Sequence, residues 1–326
     1  MPNTFTRGSL GQNPPNADRH ISSGGSDWAW AVFAIMLICD LVALFWTFRR
    51  ARGTRLFHHI AVIVLTTATI AWFSMASDLG ATPIAAEFHR SNTNTRQIWY
   101  VRYIQYFITF PLLLLELLLA TGLSFSDVFT TLFMAWVVVV TALVGALVRS
   151  TYKWGYFALG LGALCYIWYV LLGHAPASFA AGGVMRKGYR GGAFYLSFLL
   201  LIYPIAWGVC EGSNTVSPTG EFIFYGILDL LAGPVFLFGF LSQIRGIDYG
   251  TFGFTSMKYS EGMYNGHGVG TGTGTGMAGR TTGPVNGFGG ANNVNSAPGT
   301  GGNVNTVGNG TGSTGLNHTG NTSTVV

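Results

Sequence analysis

Seven apolar stretches, each close to the roughly 20 residues a helix needs to cross a hydrocarbon core, constrain this chain more than any other feature. They fall at about 28–48, 60–80, 98–121, 127–148, 154–175, 192–211 and 221–243, with connections short enough to join antiparallel neighbours. Backbone groups in lipid have no water to bond, so stretches of this length satisfy their own N–H and C=O groups as helices. The expected architecture is therefore an all-α membrane protein, a bundle of seven transmembrane helices with the lipid bilayer as its solvent. Only 9% of the residues are charged, against about 25% in an ordinary soluble domain. The net charge of +5 is small and scattered, which argues against nucleic acid as a partner and for topological charge on loops.

Three regions follow from this pattern: a polar N-terminal segment (1–27), the transmembrane domain (28–245) and a tail (246–326) dominated from Gly266 by Gly, Thr, Asn and Ser. The tail has too few large apolar residues to build a core, so disorder is expected there. Its glycines follow no strand and meet no GK[ST], which excludes a phosphate loop. The first segment lacks the basic start and apolar stretch of a signal peptide. Arg49, Arg50, Arg52 and Arg55 follow the first stretch, Arg186, Lys187 and Arg190 precede the sixth, and Arg245 follows the seventh. The opposite side holds Arg7, Arg19, Arg90, Arg96, Arg149 and Lys153. The positive-inside rule thus favours an outside N-terminus and a cytoplasmic C-terminus. Cys39, Cys165 and Cys210 are odd in number and show no CxxC or Cys/His spacing, so neither a disulfide framework nor a metal site is expected.

Ionisable groups within a membrane cost about 2.5–3.5 kcal/mol each at a helix centre and are functional candidates for that reason. Here they are Asp40, Asp78, Arg102, Glu116 and Asp229. Arg102 and Glu116 are fourteen positions apart, about 21 Å along a helix, so they share one side of the third helix at opposite depths. Asp40 and Asp78 read as interhelical hydrogen-bond formers or helix-end residues. Tyr106, Trp136, Tyr203 and Trp207 either pack the core or line an apolar cavity, with Gly160 and Gly162 adding space. No nucleophile–base arrangement is present, so an enzyme is not expected.

The run from Arg102 through Gln105, Tyr106, Thr109 and Pro111 to Glu116 resembles helix three of the microbial rhodopsins. Tyr203-Pro204 followed by Trp207 resembles their helix six, and Glu221 followed by Leu228-Asp229 and Gly233 resembles helix seven. The resemblance extends from about Trp28 to Arg245 and implies the rhodopsin fold. Its departures bear on function. In that family the residue four positions after the helix-seven Asp is the lysine that binds retinal as a Schiff base; here it is Gly233. The other lysines are Lys153, Lys187 and Lys258, at a helix edge, in a loop and in the tail. Gln105 stands where pumps place the carboxylate that accepts the proton, and an amide does not accept a proton near neutral pH. Leu200 stands where a tryptophan forms one wall of the retinal pocket. No covalent retinal cofactor is expected.

The same resemblance implies that Arg102 and Asp229 form a buried pair, either a structural clamp or a relic proton pathway or polar ligand site. Glu116 matches the proton donor of pumps; it reads as a proton-handling group or as a neutral, hydrogen-bonded acid. What remains resembles the opsin-related proteins of fungi, including heat-shock-induced plasma-membrane proteins of yeasts, and the run Trp72 to Gly80 looks fungal as well. That group implies a stress-associated, chaperone-like accessory role at the plasma membrane, with the proton ATPase as a partner. The alternatives are a receptor or carrier for a noncovalent lipid-like ligand, or a retinal-free proton carrier. Homo-oligomer formation is left open.

Overall fold

A computed structural model describes residues 8–86, 95–179 and 184–245. After a single turn, α1 (Ser9–Gln12), the chain forms α2 (Ser23–Arg49) and α3 (Leu56–Ala76), then a hairpin of β1 (Thr82–Ala85) and β2 (Thr95–Ile98). Helices α4 (Tyr100–Leu118) and α5 (Phe125–Leu147) follow. The fifth span is α6 (Lys153–Trp168) continued by a π-helical turn, Tyr169–His174, and by α7 (Ala175–Ala177). The sixth is α8 (Val184–Trp207) with a π turn at Gly208–Gly212; the seventh is α9 (Pro218–Leu230), a π turn at Leu231–Val235 and α10 (Phe236–Gln243). Among the described residues, seven helical segments are thus long and apolar enough to cross a membrane.

Several helix starts are written in the sequence. Ser22, Ser124 and Ser217 each accept a hydrogen bond from the backbone N–H three residues on, at Gly25, Asp127 and Gly220. Each satisfies a donor that the first turn leaves open, and Pro218 adds a residue pre-set for a first helical position. The spans then sort by surroundings. Helices α3 and α4 and the seventh span bury most of their apolar faces, whereas α2 exposes Ile38, Phe45 and Phe48. In water that exposure would be costly; in lipid, tails as apolar as the side chains themselves remove the penalty. Gly160 lets α6 approach α5 closely, since a Cβ there would stand 2.6 Å from Thr141 Oγ1.

The structure departs from the sequence reading at one end of the bundle. The third helix begins at Tyr100, because Thr95–Ile98 pairs antiparallel with Thr82–Ala85, Thr82 facing Ile98 and Ala85 facing Thr95. Asp78 was expected inside a span but lies beyond the end of α3, in a turn where Asp78 and Gly80 both take left-handed backbone angles (φ 58° and 81°). Asp and Gly tolerate that conformation better than most residues. The segment before α2 is packed onto this same end. Ile21 is fully buried, Asn13 Nδ2 donates to Ser77 O at 2.8 Å, and Arg19 exchanges backbone hydrogen bonds with Thr95 and Gln97. The disorder expected of 246–326 falls outside the described residues.

Candidate functional site

A cavity of about 130 Å³ lies within the bundle, lined from α3, α4, α5, α6, α8 and the seventh span. Leu113, Phe157, Leu164, Leu200 and Trp207 are among its apolar walls, and Gly160 and Gly233 both border it. At Gly233, in the π turn of the seventh span, a Cβ would meet Leu65 Cδ2 and Met36 Cε at 3.8 Å. That is ordinary contact, so a side chain has room to begin there. Among the described residues, no lysine lines the cavity. Lys153 is buried with its Nζ donating to Gly212 O at 3.1 Å, and Lys187 is exposed.

At one end of the cavity, four hydrogen-bond donors gather on Asp229. Tyr106 and Tyr203 hydroxyls donate to Oδ1 at 2.9 and 2.8 Å. Trp72 Nε1 and Gln105 Nε2 donate to Oδ2, both at 3.0 Å. Donors from α3, α4 and α8 thus meet one carboxylate on α9, and all four are neutral. Gln105 Oε1 is buried without a hydrogen-bond partner among the described residues.

A second polar cluster lies nearer the hairpin. Arg102 donates to Glu221 and, at 3.3 Å, to Glu211. Arg96, on β2, donates to Glu221 Oε2 at 2.6 Å and to Val216 O at 2.7 Å. Tyr103 and Tyr225 hydroxyls complete Glu211, each at 3.1 Å, and the Arg102 guanidinium lies 4.1 Å from the centre of the Tyr225 ring. Burial by itself would lower the Arg96 pKa, but the Glu221 charge and hydrogen bond outweigh it and hold it raised. At the end of α3, burial pushes the Asp78 carboxyl up, a shift reduced by the Gln97 hydrogen bond and by His20.

Arg102 and Asp229, which the resemblance joins through hydrogen bonds and waters, share no direct bond; the direct partners of Arg102 are Glu221 and Glu211. Arg102 reaches Glu221, whereas Gln105 and Tyr106, one turn further along α4, reach Asp229, about two turns further along the seventh span. Arg96 and Glu211 were not singled out as site residues, Arg96 because it counts as a loop charge and Glu211 because it closes an apolar run. One signal was available: a lone arginine in a span needs a carboxylate, and Glu211 and Glu221 flank the connection nearest it.

Other expected residues lie elsewhere. Trp136 does not line the cavity; it sits on the outer side of α5, stacked against Phe107 and donating to Phe107 O at 3.0 Å. An aromatic facing lipid and one facing the core look alike in composition. Gly162 likewise is exposed rather than cavity-forming. Glu116 is fully buried, away from the cavity wall, and neither of its oxygens has a hydrogen-bond partner among the described residues, contrary to the hydrogen-bonded acid expected. Asp40 accepts from Thr66 Oγ1 at 3.0 and 3.1 Å, an interhelical bond between α2 and α3. Among the described residues, no group of three or more His, Cys, Asp or Glu could hold a metal ion.

Comparison with known proteins places this geometry. The profile of bacteriorhodopsin-like proteins matches residues 24–243. Protein FDD123 of Trametes versicolor is 64% identical over 253 residues, covering 77% of this chain and 89% of that protein. The 30 kDa heat shock protein of Saccharomyces cerevisiae is 35% identical over 259 residues, covering 70% and 75%. The crystal structure of the light-driven proton pump Coccomyxa subellipsoidea rhodopsin aligns with a TM-score of 0.66 at 32% identity, over 69% of this chain and 98% of that one. With seven spans, the cavity between them and a family match across the whole bundle, the chain belongs to the bacteriorhodopsin-like protein family.

Proposed function

We propose that this protein is a retinal-independent, opsin-related membrane protein that serves as a stress-associated accessory to other plasma-membrane proteins, the proton ATPase among them. The observation that carries the reading is Gly233 on the cavity wall, at the position where the resemblance puts the retinal lysine. A Schiff base needs a primary amine, and the lining residues supply none, so they do not fit a covalently held retinal. Gln105 spends its amide on Asp229 instead of offering a second carboxylate. Without a covalent chromophore the bundle has no means of converting light into proton movement, and its role passes to what it contacts. The name of the yeast heat shock relative supports the stress association. The reading places the N-terminus outside and the tail in the cytoplasm.

The test is deletion of the gene in its own host, followed by plasma-membrane proton-ATPase activity under heat or acid stress. The activity should change, in darkness as in light and with or without added retinal. Wild type and Glu116→Gln should restore it equally. An abundant but inactive Glu116→Gln would replace this reading with a proton carrier, and unaltered ATPase activity would remove the ATPase as partner.

The cavity favours a second reading, a receptor or carrier for a noncovalent ligand. Its volume is close to that of an engineered apolar cavity of about 150 Å³ that stays dry and admits benzene. Ligand density or a co-purifying small molecule within the walls would support it.

A further inference from the structure

We propose that the end of the bundle opposite the hairpin seats the headgroup of a polyanionic lipid, one with several phosphates on a single headgroup, as phosphoinositides have. The site is separate from the cavity and goes beyond the accessory role.

Charge is unevenly divided between the two ends. At the hairpin end, Arg96 and Arg102 are paired with Glu211 and Glu221, and Asp18, Asp27 and Asp78 lie among the remaining cations. The other end gathers Arg49, Arg50, Arg52 and Arg55 between α2 and α3, Arg186, Lys187 and Arg190 on the first turns of α8, and Arg245 after α10. Against these eight cations stands one surface carboxylate, Asp127, which already accepts from Ser124 Oγ at 2.7 Å. Glu116 is close to the same end of α4 but fully buried. Among the described residues no ion pair forms at this end; the pairs lie at the other.

The two groups of cations meet at the end of the seventh span. Phe57, in the first turn of α3, packs its ring on that of Phe240 with centres 5.8 Å apart. On the other flank, a Cβ at Gly188 would stand 2.9 Å from Gln243 Oε1. The end of α10 is thus flanked by both groups, with Arg245 two residues beyond Gln243. Their height suits lipid phosphates. Trp46 and Phe48 are exposed on the last turn of α2, and tryptophan gathers at the boundary between hydrocarbon and headgroups. Arg49 follows directly, its guanidinium 5.4 Å from the centre of the Phe45 ring. On α8, exposed Phe194 stands one turn from Arg190.

Arg55 has a structural use, since its Nε and Nη2 donate to Arg50 O at 2.8 and 2.6 Å and tie off the end of α2. Arg49, Arg52, Lys187 and Arg190 are exposed and left to meet an outside anion. A guanidinium matches a phosphate with two parallel N–H bonds, and clusters of four to eight cations beside a span attract anionic headgroups. A headgroup with one phosphate reaches one flank of α10; several phosphates engage both. On the proposed orientation this end meets the cytoplasmic leaflet, which is the anionic one.

The test uses the full chain in mild detergent, titrated with a dioctanoyl phosphatidylinositol bisphosphate, dioctanoyl phosphatidylserine and free inositol trisphosphate, and followed by native mass spectrometry. The bisphosphate lipid should bind saturably and about tenfold or more tighter than phosphatidylserine, through the added cation contacts. Arg49→Gln with Arg52→Gln, and separately Lys187→Gln with Arg190→Gln, should each weaken it about thirtyfold, two cations at about 1 kcal/mol apiece. Arg149→Gln, which removes an exposed cation at the hairpin end, should leave it unchanged. All these side chains are exposed, so the thermal midpoint without lipid should stay that of wild type. Equal affinity for the two lipids, or an equal loss in Arg149→Gln, would reduce this end to topological charge and overturn the site. Free trisphosphate binding as tightly as the lipid would overturn the membrane source in favour of a soluble polyanion. A loss in only one of the two double variants would overturn the seat shared across α10.

Discussion

Asp229 precedes Gly233 by one helical turn, and its four hydrogen bonds organise the polar end of the cavity without any amine from the described residues. Purified protein mixed with all-trans retinal and treated with borohydride should accordingly yield no stoichiometric retinyl adduct. Gly233→Lys has room to start a side chain and should form a pigment. Adding Gln105→Asp should raise both pigment yield and Schiff-base pKa by supplying a counter-ion; equal values in the two variants would show that the counter-ion lies elsewhere. Asp78 gives a pH test. Its folded pKa is raised by burial, so its favourable contribution is complete below the unfolded value of about 3.9. That contribution is lost as pH rises through the folded value. Asp78→Asn keeps a residue that tolerates a left-handed backbone and should gain on wild type in thermal midpoint as pH rises from about 4. A constant difference across pH would contradict this. At this scale the sequence was legible wherever a site residue sits at fixed spacing on one helix, as Asp229 and Gly233 do. It was not legible for Arg96 and Glu221, which are 125 positions apart and meet only through the fold.

The Arg96–Arg102–Glu211–Glu221 cluster joins the hairpin, α4, the π turn after α8 and α9. Its members are not equivalent. Arg102 is the ion-pair partner of both carboxylates, whereas Arg96 bonds only Glu221 of the two. Breaking a buried ion pair by removing one member costs about 3–5 kcal/mol. Arg102→Ala should therefore fall in that range, seen as lost abundance and a lower thermal midpoint in mild detergent. Arg96→Met should cost less, since Arg102 still holds Glu221. The reverse ranking would place the keystone on the hairpin. Length and apolarity announced all seven spans, because a bilayer demands both. They could not announce the hairpin, whose four-residue strands carry no apolar run, or the three π turns, in which one extra residue per turn leaves composition unchanged. The turn at Leu231–Val235 holds Pro234, which has no N–H to give the ladder, and that proline is a local hint of irregularity.

For the whole molecule, orientation decides which end of the bundle meets the cytoplasm. The tail carries acceptor patterns for N-glycosylation at Asn309, Asn317 and Asn321, each followed two positions later by Thr or Ser. With a cytoplasmic tail, expression in a eukaryotic host should leave all three unmodified. A mobility shift that endoglycosidase removes, and that replacing these asparagines abolishes, would invert the proposed topology. The segment ahead of α2 bears on how that topology is reached. Asn13 bonds Ser77, Arg19 bonds Thr95 and Gln97, and the Arg19 guanidinium bonds Asn214 O at 2.8 Å. These partners are made long after the segment itself, the last of them 195 positions later, beyond the sixth span. A segment made before all seven spans is therefore among the last to find its partners, and the bundle closes that end as a drawstring does, when nearly all the cloth is already gathered.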